Sequence, residues 1–526
     1  MVIDPRTPVL VGAGQVTNRP GPEGADLSRR PEPVALMAQA LQLAADDCTG
    51  VECSVAGRRL LERADSIRVL RPLSWEYTDP GRLVSEALGI GPAESVLATT
   101  GGNNAQRLVN RTALAIGRGE LDVAVVTGAD CVYSVTAARR HPDRPVLPWT
   151  AQGADVAAPG AFGNPQRGTT AAEEERGLDL PVHVYPLFEN ALRARAGHGL
   201  DEHRRHIAGL WSRFSEVAAS NPHAWLRRPM TPEEIGVPGE TNRMVSYPYT
   251  KLLTANMQVD QGAALLLCSA GAAEAAGVPR DRWVFPLAGA DADDHWFLSH
   301  RADFHSSPGI RLAAGAAMAL AGTEADRIAH LDLYSCFPSA VQIAAAEIGV
   351  ALDDPERPLT VTGGLTFAGG PGNDYGTHAI ASMVATLRAD PGSTGLVSGL
   401  GWYLTEHSIG LYGTEPPAAT PPGAVPARTE VAEAAGFRWA DPQAAVGSLP
   451  QCASDAEARG EVTVETYSVA YERDGEPGRA VVACRTPDGK RAWAGVTDPA
   501  HLALLVTEEC CGRLGTLRPD GVVDLG

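Results

Sequence analysis

Residues 101–130 read GGNNAQRLVNRTALAIGRGELDVAVVTGAD, and residues 369–402 read GGPGNDYGTHAIASMVATLRADPGSTGLVSGLGW. Each stretch opens on a Gly/Asn-rich turn and runs into a helical pattern. Apolar positions recur at helical spacing: Ala105, Leu108, Val109 and Thr112 in the first, Ile380, Met383, Val384 and Leu387 in the second. Each helix then breaks at Gly or Pro and passes into an apolar strand ending in glycine. Asn104 to Gly128 spans 24 positions and Asp374 to Gly399 spans 25, which predicts one α/β unit used twice. Around both, apolar strands alternate with helical stretches, the pattern of an α/β protein.

Between the two units the texture changes. From Ala191 to Arg228 there are seven arginines against three acids, a local +4. Asp201–Ser220 is amphipathic, with Ile207, Leu210, Trp211, Phe214 and Val217 on one face, and Asn221-Pro222 stops it. After the second unit, GTEPPAATPPGAVPAR (413–428) carries five prolines and reads as an extended linker. Beyond it, Val462–Tyr471, Arg479–Arg485 and Arg491–Val496 read as strands separated by DGEPG and TPDGK, with a helix over Pro499–Thr507. The reading is a small, mostly β terminal domain, a barrel.

A chain of 526 residues with 44% hydrophobic and 20% charged residues has enough for several cores and little reason for disorder. A net charge of -19 disfavours nucleic acid as a partner. Nine scattered cysteines without a CxxC pair argue against a disulfide framework or thiolate zinc site and for a reducing cytosol. No secretory pattern opens the chain, and no apolar run reaches the ~18 residues of a membrane helix. The expected location is cytoplasmic.

TTGGNNAQ before a helix, followed by GELDVAVVTGAD, resembles the nucleophile loop, helix and strand of the thiolase superfamily. KLLTANMQVDQGAALLLCSAG from Lys251 is similar to the thiolase strand that carries an acidic residue before Gly-Ala-Ala. SRFSEVAASNPHAWLRRPMTPEEI resembles the acyl-CoA-binding loop domain of the sterol-carrier-protein type. LYSCFP (333–338) lies where that type carries His-Asp-x-Phe, and GGLTFAGGPGNDYG lies where thiolases carry Gly-His-Pro. The resemblance covers roughly residues 5 to 412. It implies a duplicated thiolase-like α/β/α/β/α core: an N-terminal half over 1–285, with a loop domain at about 140–250, and a C-terminal half over 286–412. Residues 429–526 are an addition, analogous to the small OB-type barrel that partners some thiolase-like aldolases. The family assembles as homodimers or larger; the added domain leaves a monomer open.

The thiolase chemistry does not carry over. The nucleophilic cysteine falls at Gly101, or at Thr100 if the alignment slips by one; the Gly-His-Pro histidine falls at Gly370; the second cysteine falls at Ser398 or Gly399; and the Asn or His that polarises the thioester falls at Tyr334. Without a thiolate the acyl-enzyme step has no nucleophile. Three nearby residues are candidates instead. Tyr334 reads as a phenol donor to a thioester oxygen, or as a packed tyrosine. Cys336, before the helix starting at Pro338, reads as a dipole-favoured thiolate, or as a small buried thiol. His378 reads as a replacement base, or as a hydrogen-bonded structural histidine. Tyr375 and Asn373 shape the same turn, and Asn373 is also a contact candidate for CoA. His407 reads as structural. Arg204, Arg205, Arg227 and Arg228 are candidates for the CoA phosphates. VGAGQVTN lacks the third glycine of a dinucleotide fingerprint, and His203 with His206 lacks a third metal ligand. No metal or redox cofactor is expected; coenzyme A enters as part of the substrate.

Three functions follow. The first is a thiolase-like acyltransferase on an acyl-CoA or acyl-carrier thioester, with Cys336 as nucleophile or acid. The second is a retro-aldolase on a β-hydroxyacyl-CoA, which needs a base and enolate stabilisation but no thiolate. The third is a non-catalytic acyl-CoA-binding protein.

Overall fold

A computed structural model describes residues 3–20, 26–153, 155–417 and 424–525. Two six-stranded sheets face each other across a pair of buried helices. In the first sheet, β1 (Pro8–Thr17), β2 (Ser66–Val69), β3 (Glu94–Ala98), β4 (Val123–Cys131) and β5 (Gly160–Phe162) join a later strand, β8 (Asp260–Ser269), in the order β1-β8-β4-β2-β3-β5. Two short intervening strands, β6 (Met244–Tyr247) and β7 (Tyr249–Thr250), form a hairpin in the helical region. The second sheet holds β9 (Phe285–Asp293), β10 (His330–Asp332), β11 (Thr394–Gly401), β12 (Glu406–Gly413), β13 (Glu430–Ala434) and β14 (Phe437–Asp441), ordered β10-β11-β12-β9-β14-β13. Strands β4, β8, β11 and β12 are buried almost along their whole length, as strands covered on both faces should be, and β12 carries the buried polar run Glu406–His407–Ser408.

The two repeated stretches form the predicted turn–helix–strand units. The first central helix, Asn104–Arg118, leads to β4, and the second, Tyr375–Ala389, leads to β11. Buried residues run round most of the second helix, from Tyr375 to Val384, because it lies between the sheets rather than on a surface.

The amphipathic reading of the middle region gives the helix Leu200–Ser220, with Ile207, Leu210, Trp211 and Phe214 buried; Val217 is partly exposed. The C-terminal strands are β15 (Gly460–Tyr471), β16 (Pro477–Arg485), β17 (Arg491–Val496), β18 (Leu514–Leu517) and β19 (Val523–Leu525), with a helix over Pro499–Thr507. They form a sheet ordered β17-β16-β15-β18-β19. A bridge between Gly495 and Val522 joins its two ends, so the sheet curls back on itself.

This C-terminal unit is tied to the rest of the chain by buried charge. Arg491 is fully enclosed; it pairs with Glu465 and donates to the carbonyls of Leu298, Ser299 and Arg301. Arg193, from the helix Pro181–Ala196, reaches Glu509 and the Tyr467 hydroxyl. Strand β6 adds to β15 through Val469–Tyr247 and Ala470–Ser246. Residues 430–441, which follow the proline-rich stretch, extend the second sheet instead, with β14 parallel to β9. The centre of that stretch, 418–423, lies outside the described residues. No helix among the described residues is long and apolar enough to cross a membrane.

Candidate active site at the first central helix

The turn before the first central helix, Thr99–Asn104, is built from residues with little bulk, and its neighbours fill the space. A Cβ on Gly102 would collide with the Tyr334 hydroxyl and lie 2.6 Å from the Leu400 carbonyl. One on Gly101 would lie 2.6 Å from Asn103 Oδ1 and 3.0 Å from Glu406 Oε2. Residue 102 therefore has room only for glycine, and the Tyr334 phenol occupies the ground of a missing side chain. Thr100 and Gly102 stay partly exposed, so the turn is not sealed.

Tyr334 lies in the loop after β10. Its amide donates to Ser398 Oγ (2.9 Å), and its ring meets Tyr375 edge-on, with centroids 5.3 Å apart. Its hydroxyl has no hydrogen-bond partner among the described residues, and burial holds the phenol far above its usual pKa, so it stays a neutral donor. Cys336, two residues on, lies in the same loop before the helix Pro338–Ile348. Burial pushes its thiol up to about 12, so desolvation outweighs the helix dipole and the thiolate expected from position alone does not form near neutrality. Tyr185 bridges this loop to the β11–β12 turn: its ring stacks on Phe337 at 4.4 Å, and its hydroxyl donates to the Trp402 carbonyl at 3.0 Å. Trp402 (φ 53°) and Leu404 (φ 56°) hold left-handed conformations costly for side chains with a Cβ.

His378 is elsewhere in the contact network. Its Nδ1 is 2.9 Å from Gln15 Oε1 on β1, and Nε2 is 3.6 Å from Asp374 Oδ2. No hydrogen bond or ion pair joins it to Tyr334 or Cys336. Burial, helped by the nearby His223 charge, lowers its pKa to about 3, which leaves it neutral and a poor base. Asn373 does reach the first turn: Oδ1 accepts from Gly101 N (3.0 Å) and Nδ2 donates to the Arg71 carbonyl (2.8 Å). The arginines do not converge on it. Arg204 pairs with Asp201, Arg228 pairs with Glu234, and Arg227 is exposed. Arg204 and Arg205 share an outer cavity of about 330 Å³ with Asp201 and Glu233. His407 is satisfied by Asp294, Ser307 and the Leu404 carbonyl. His203 donates through Nε2 to the buried Glu189 carboxylate (2.7 Å), with His198 beside it; no group of three or more His, Cys, Asp or Glu among the described residues is arranged to hold a metal.

One residue escaped the sequence reading. Glu406, the neighbour of His407, is fully buried. Its Oε1 takes Arg107 Nη1 at 3.2 Å, while Oε2 lies on the side of the Asn103 amide. Asp293 and Asp291 share the same arginine. Burial, then the Asp293 charge, raise the Glu406 pKa to about 7 against the pull of Arg107. Asn103 lies next to it, and its amide, as a hydrogen-bonding neighbour, pulls the carboxyl partly back toward the ionised form. The surroundings of the turn thus collect an unpartnered phenol and a carboxyl, backed by the Asn103 amide, that changes charge near neutrality.

No curated protein matches the sequence. The family described as "Thiolase-like protein type 1 additional C-terminal domain" matches residues 441–522. The dimeric peroxisomal thiolase of Saccharomyces cerevisiae shares the fold at 14% identity and TM-score 0.54, over 78% of this chain and 98% of its own. An Ltp2-ChsH2(DUF35) aldolase does so at 19% identity and TM-score 0.57, over 78% and 99%. A monomeric SCP2-thiolase-like protein type 1 from Mycobacterium smegmatis matches over 100% of both chains, at 31% identity and TM-score 0.81. With the duplicated core, the helical region and the added C-terminal unit all matched, the chain belongs to the SCP2-thiolase-like type 1 family.

Proposed function

We propose that this protein binds an acyl-CoA thioester and cleaves or forms a carbon–carbon bond beside it without a covalent intermediate, a retro-aldol reaction on a β-hydroxyacyl thioester. The observation that carries this is the unpartnered Tyr334 hydroxyl at the first helix N-terminus, where no nucleophile stands. The phenol and the helix dipole stabilise negative charge on the thioester oxygen. A base takes the β-hydroxyl proton, the Cα–Cβ bond breaks, the β-carbon leaves as a carbonyl compound, and its electron pair forms the enolate, which is then protonated at Cα. Glu406, on β12 beside the turn, is the group whose pKa suits accepting that proton. The protonated Cys336 thiol argues against acyl transfer through that residue. Arg204 and Arg205, on the wall of the outer cavity, remain the candidates for nucleotide phosphates, although Arg204 is paired with Asp201.

The enclosure of Glu406 favours a second reading, a non-catalytic acyl-CoA binder. Incubation with β-hydroxyacyl-CoAs, followed by mass spectrometry of the products, separates the two. The retro-aldolase gives a shortened acyl-CoA and a carbonyl compound, and Tyr334→Phe lowers the rate by about 100-fold with binding retained. Equal rates in the variant remove Tyr334 from the chemistry; binding without products supports the non-catalytic reading.

A further inference from the structure

Beside the first turn lies a cavity of about 660 Å³, within the size range of small-ligand sites. Arg71, Trp75, Tyr77, Leu97, Gln152 and Ala161 contribute to its wall. The polar groups around it are mostly spent on holding it in shape. Asp130 takes the amides of Leu73 and Ser74, at 3.1 Å and 2.7 Å. Trp75 Nε1 donates to the Thr150 carbonyl, and the Tyr77 hydroxyl donates to Glu32. Gln152 binds both backbone groups of Asp79. Arg71 differs. Asn373 anchors its carbonyl, but its guanidinium makes no hydrogen bond or ion pair with any described residue. The acid in the lining, Glu76, is exposed and forms no ion pair with it.

A half-buried guanidinium without a protein partner, on the wall of a preformed and partly aromatic cavity, is available to an anion. One guanidinium beside apolar walls matches a monocarboxylate on a hydrocarbon chain; the several charges of a nucleotide need more cations than this wall offers. The cavity is also linked to the candidate site. The same Asn373 amide that holds the Arg71 carbonyl receives Gly101 N, and Leu97 of the wall leads along β3 through Thr99 and Thr100 to that glycine. We infer that the substrate's acyl portion carries a carboxylate, which Arg71 binds in this cavity while the thioester lies at Tyr334. This rests on the acyl-thioester reading above.

Isothermal titration with glutaryl-CoA and valeryl-CoA, which differ in the terminal carboxylate, tests it on the wild type and on Arg71→Met. The wild type should prefer glutaryl-CoA by roughly tenfold, the worth of one charge-assisted hydrogen bond. The variant should lose that preference, keep its valeryl-CoA affinity, and melt at the wild-type temperature because the guanidinium supports no protein contact. An absent preference in the wild type overturns the inference and leaves the acyl-thioester reading intact. So does an equal loss for both ligands in the variant, which places Arg71 on the CoA phosphates. Failure of the wild type to bind either ligand overturns both.

Discussion

The turns before the two central helices occupy equivalent places in a duplicated scaffold, yet they are finished differently. The second, Gly369–Tyr375, is buried except at Gly372 and is wired in place. Gly369 (φ 113°) and Gly372 (φ 54°) supply left-handed bends, Asp374 Oδ2 accepts from Ala263 N, and the Tyr375 hydroxyl is held between Thr362 Oγ1 (2.7 Å) and Asp332 Oδ1 (2.9 Å). Its leftover polar atoms, on Asp374, Thr377 and His378, lie against one another. The first turn is partly exposed, and its tyrosine hydroxyl is free. One duplicate is tied down by its own hydrogen bonds, and the other keeps partly exposed backbone and an unpartnered phenol beside it.

The largest expected effect separating the turns is electrostatic. Glu406 has a folded pKa of about 7 against 4.5 for an unperturbed glutamate, so its stabilising contribution is full below pH 4.5 and is lost as pH rises through about 7. In Glu406→Gln that loss is absent. The stability gap between variant and wild type, from urea melts at pH 4.5 and 8, should shift in the variant's favour by on the order of 3 kcal/mol; a gap independent of pH contradicts the raised carboxyl. Next come the glycines. Gly102→Ala should cost about 2 kcal/mol, because its Cβ meets Tyr334 and the Leu400 backbone. Gly370→Ala, whose nearest neighbour is a leucine methyl at 3.4 Å, should stay within about 0.5 kcal/mol. Equal costs would erase the distinction between the turns. His378→Gln should leave the pH–rate profile unchanged between pH 5 and 8, since the histidine stays neutral throughout; a shifted limb would restore it as a base. The smallest effect is chemical: iodoacetamide at pH 7.5 should label exposed Cys53 and spare Cys336. Labelling of Cys336 would reopen acyl transfer.

Much of this was legible in the chain. The helix and strand after each Gly/Asn turn are local patterns, as are the C-terminal strands bounded by DGEPG and TPDGK, and local patterns are what periodicity records. What escaped depends on long-range contact. EVAEA at 430–434 has no buried run to reveal that it edges the second sheet, and the parallel pairing of β14 with β9 joins segments about 150 positions apart. The silence on Glu406 has the same origin: its neighbour His407 reads correctly as structural, whereas Glu406 becomes unusual only when Arg107, Asp291 and Asp293 close around it. Cys336 shows the converse, since the helix-start position suggests a thiolate and burial reverses it. Tyr334 was legible as the residue at the thioester-polarising position; that its hydroxyl would fill the space beside Gly102 was not.

The central claim is that the first turn acts without a covalent acyl-enzyme. Its most direct test is intact-protein mass spectrometry of the wild type, acid-quenched during turnover of a β-hydroxyacyl-CoA. The expected result is an unmodified protein mass while substrate is consumed. An added acyl mass on the protein, mapped to Cys336 or Thr100, would contradict it.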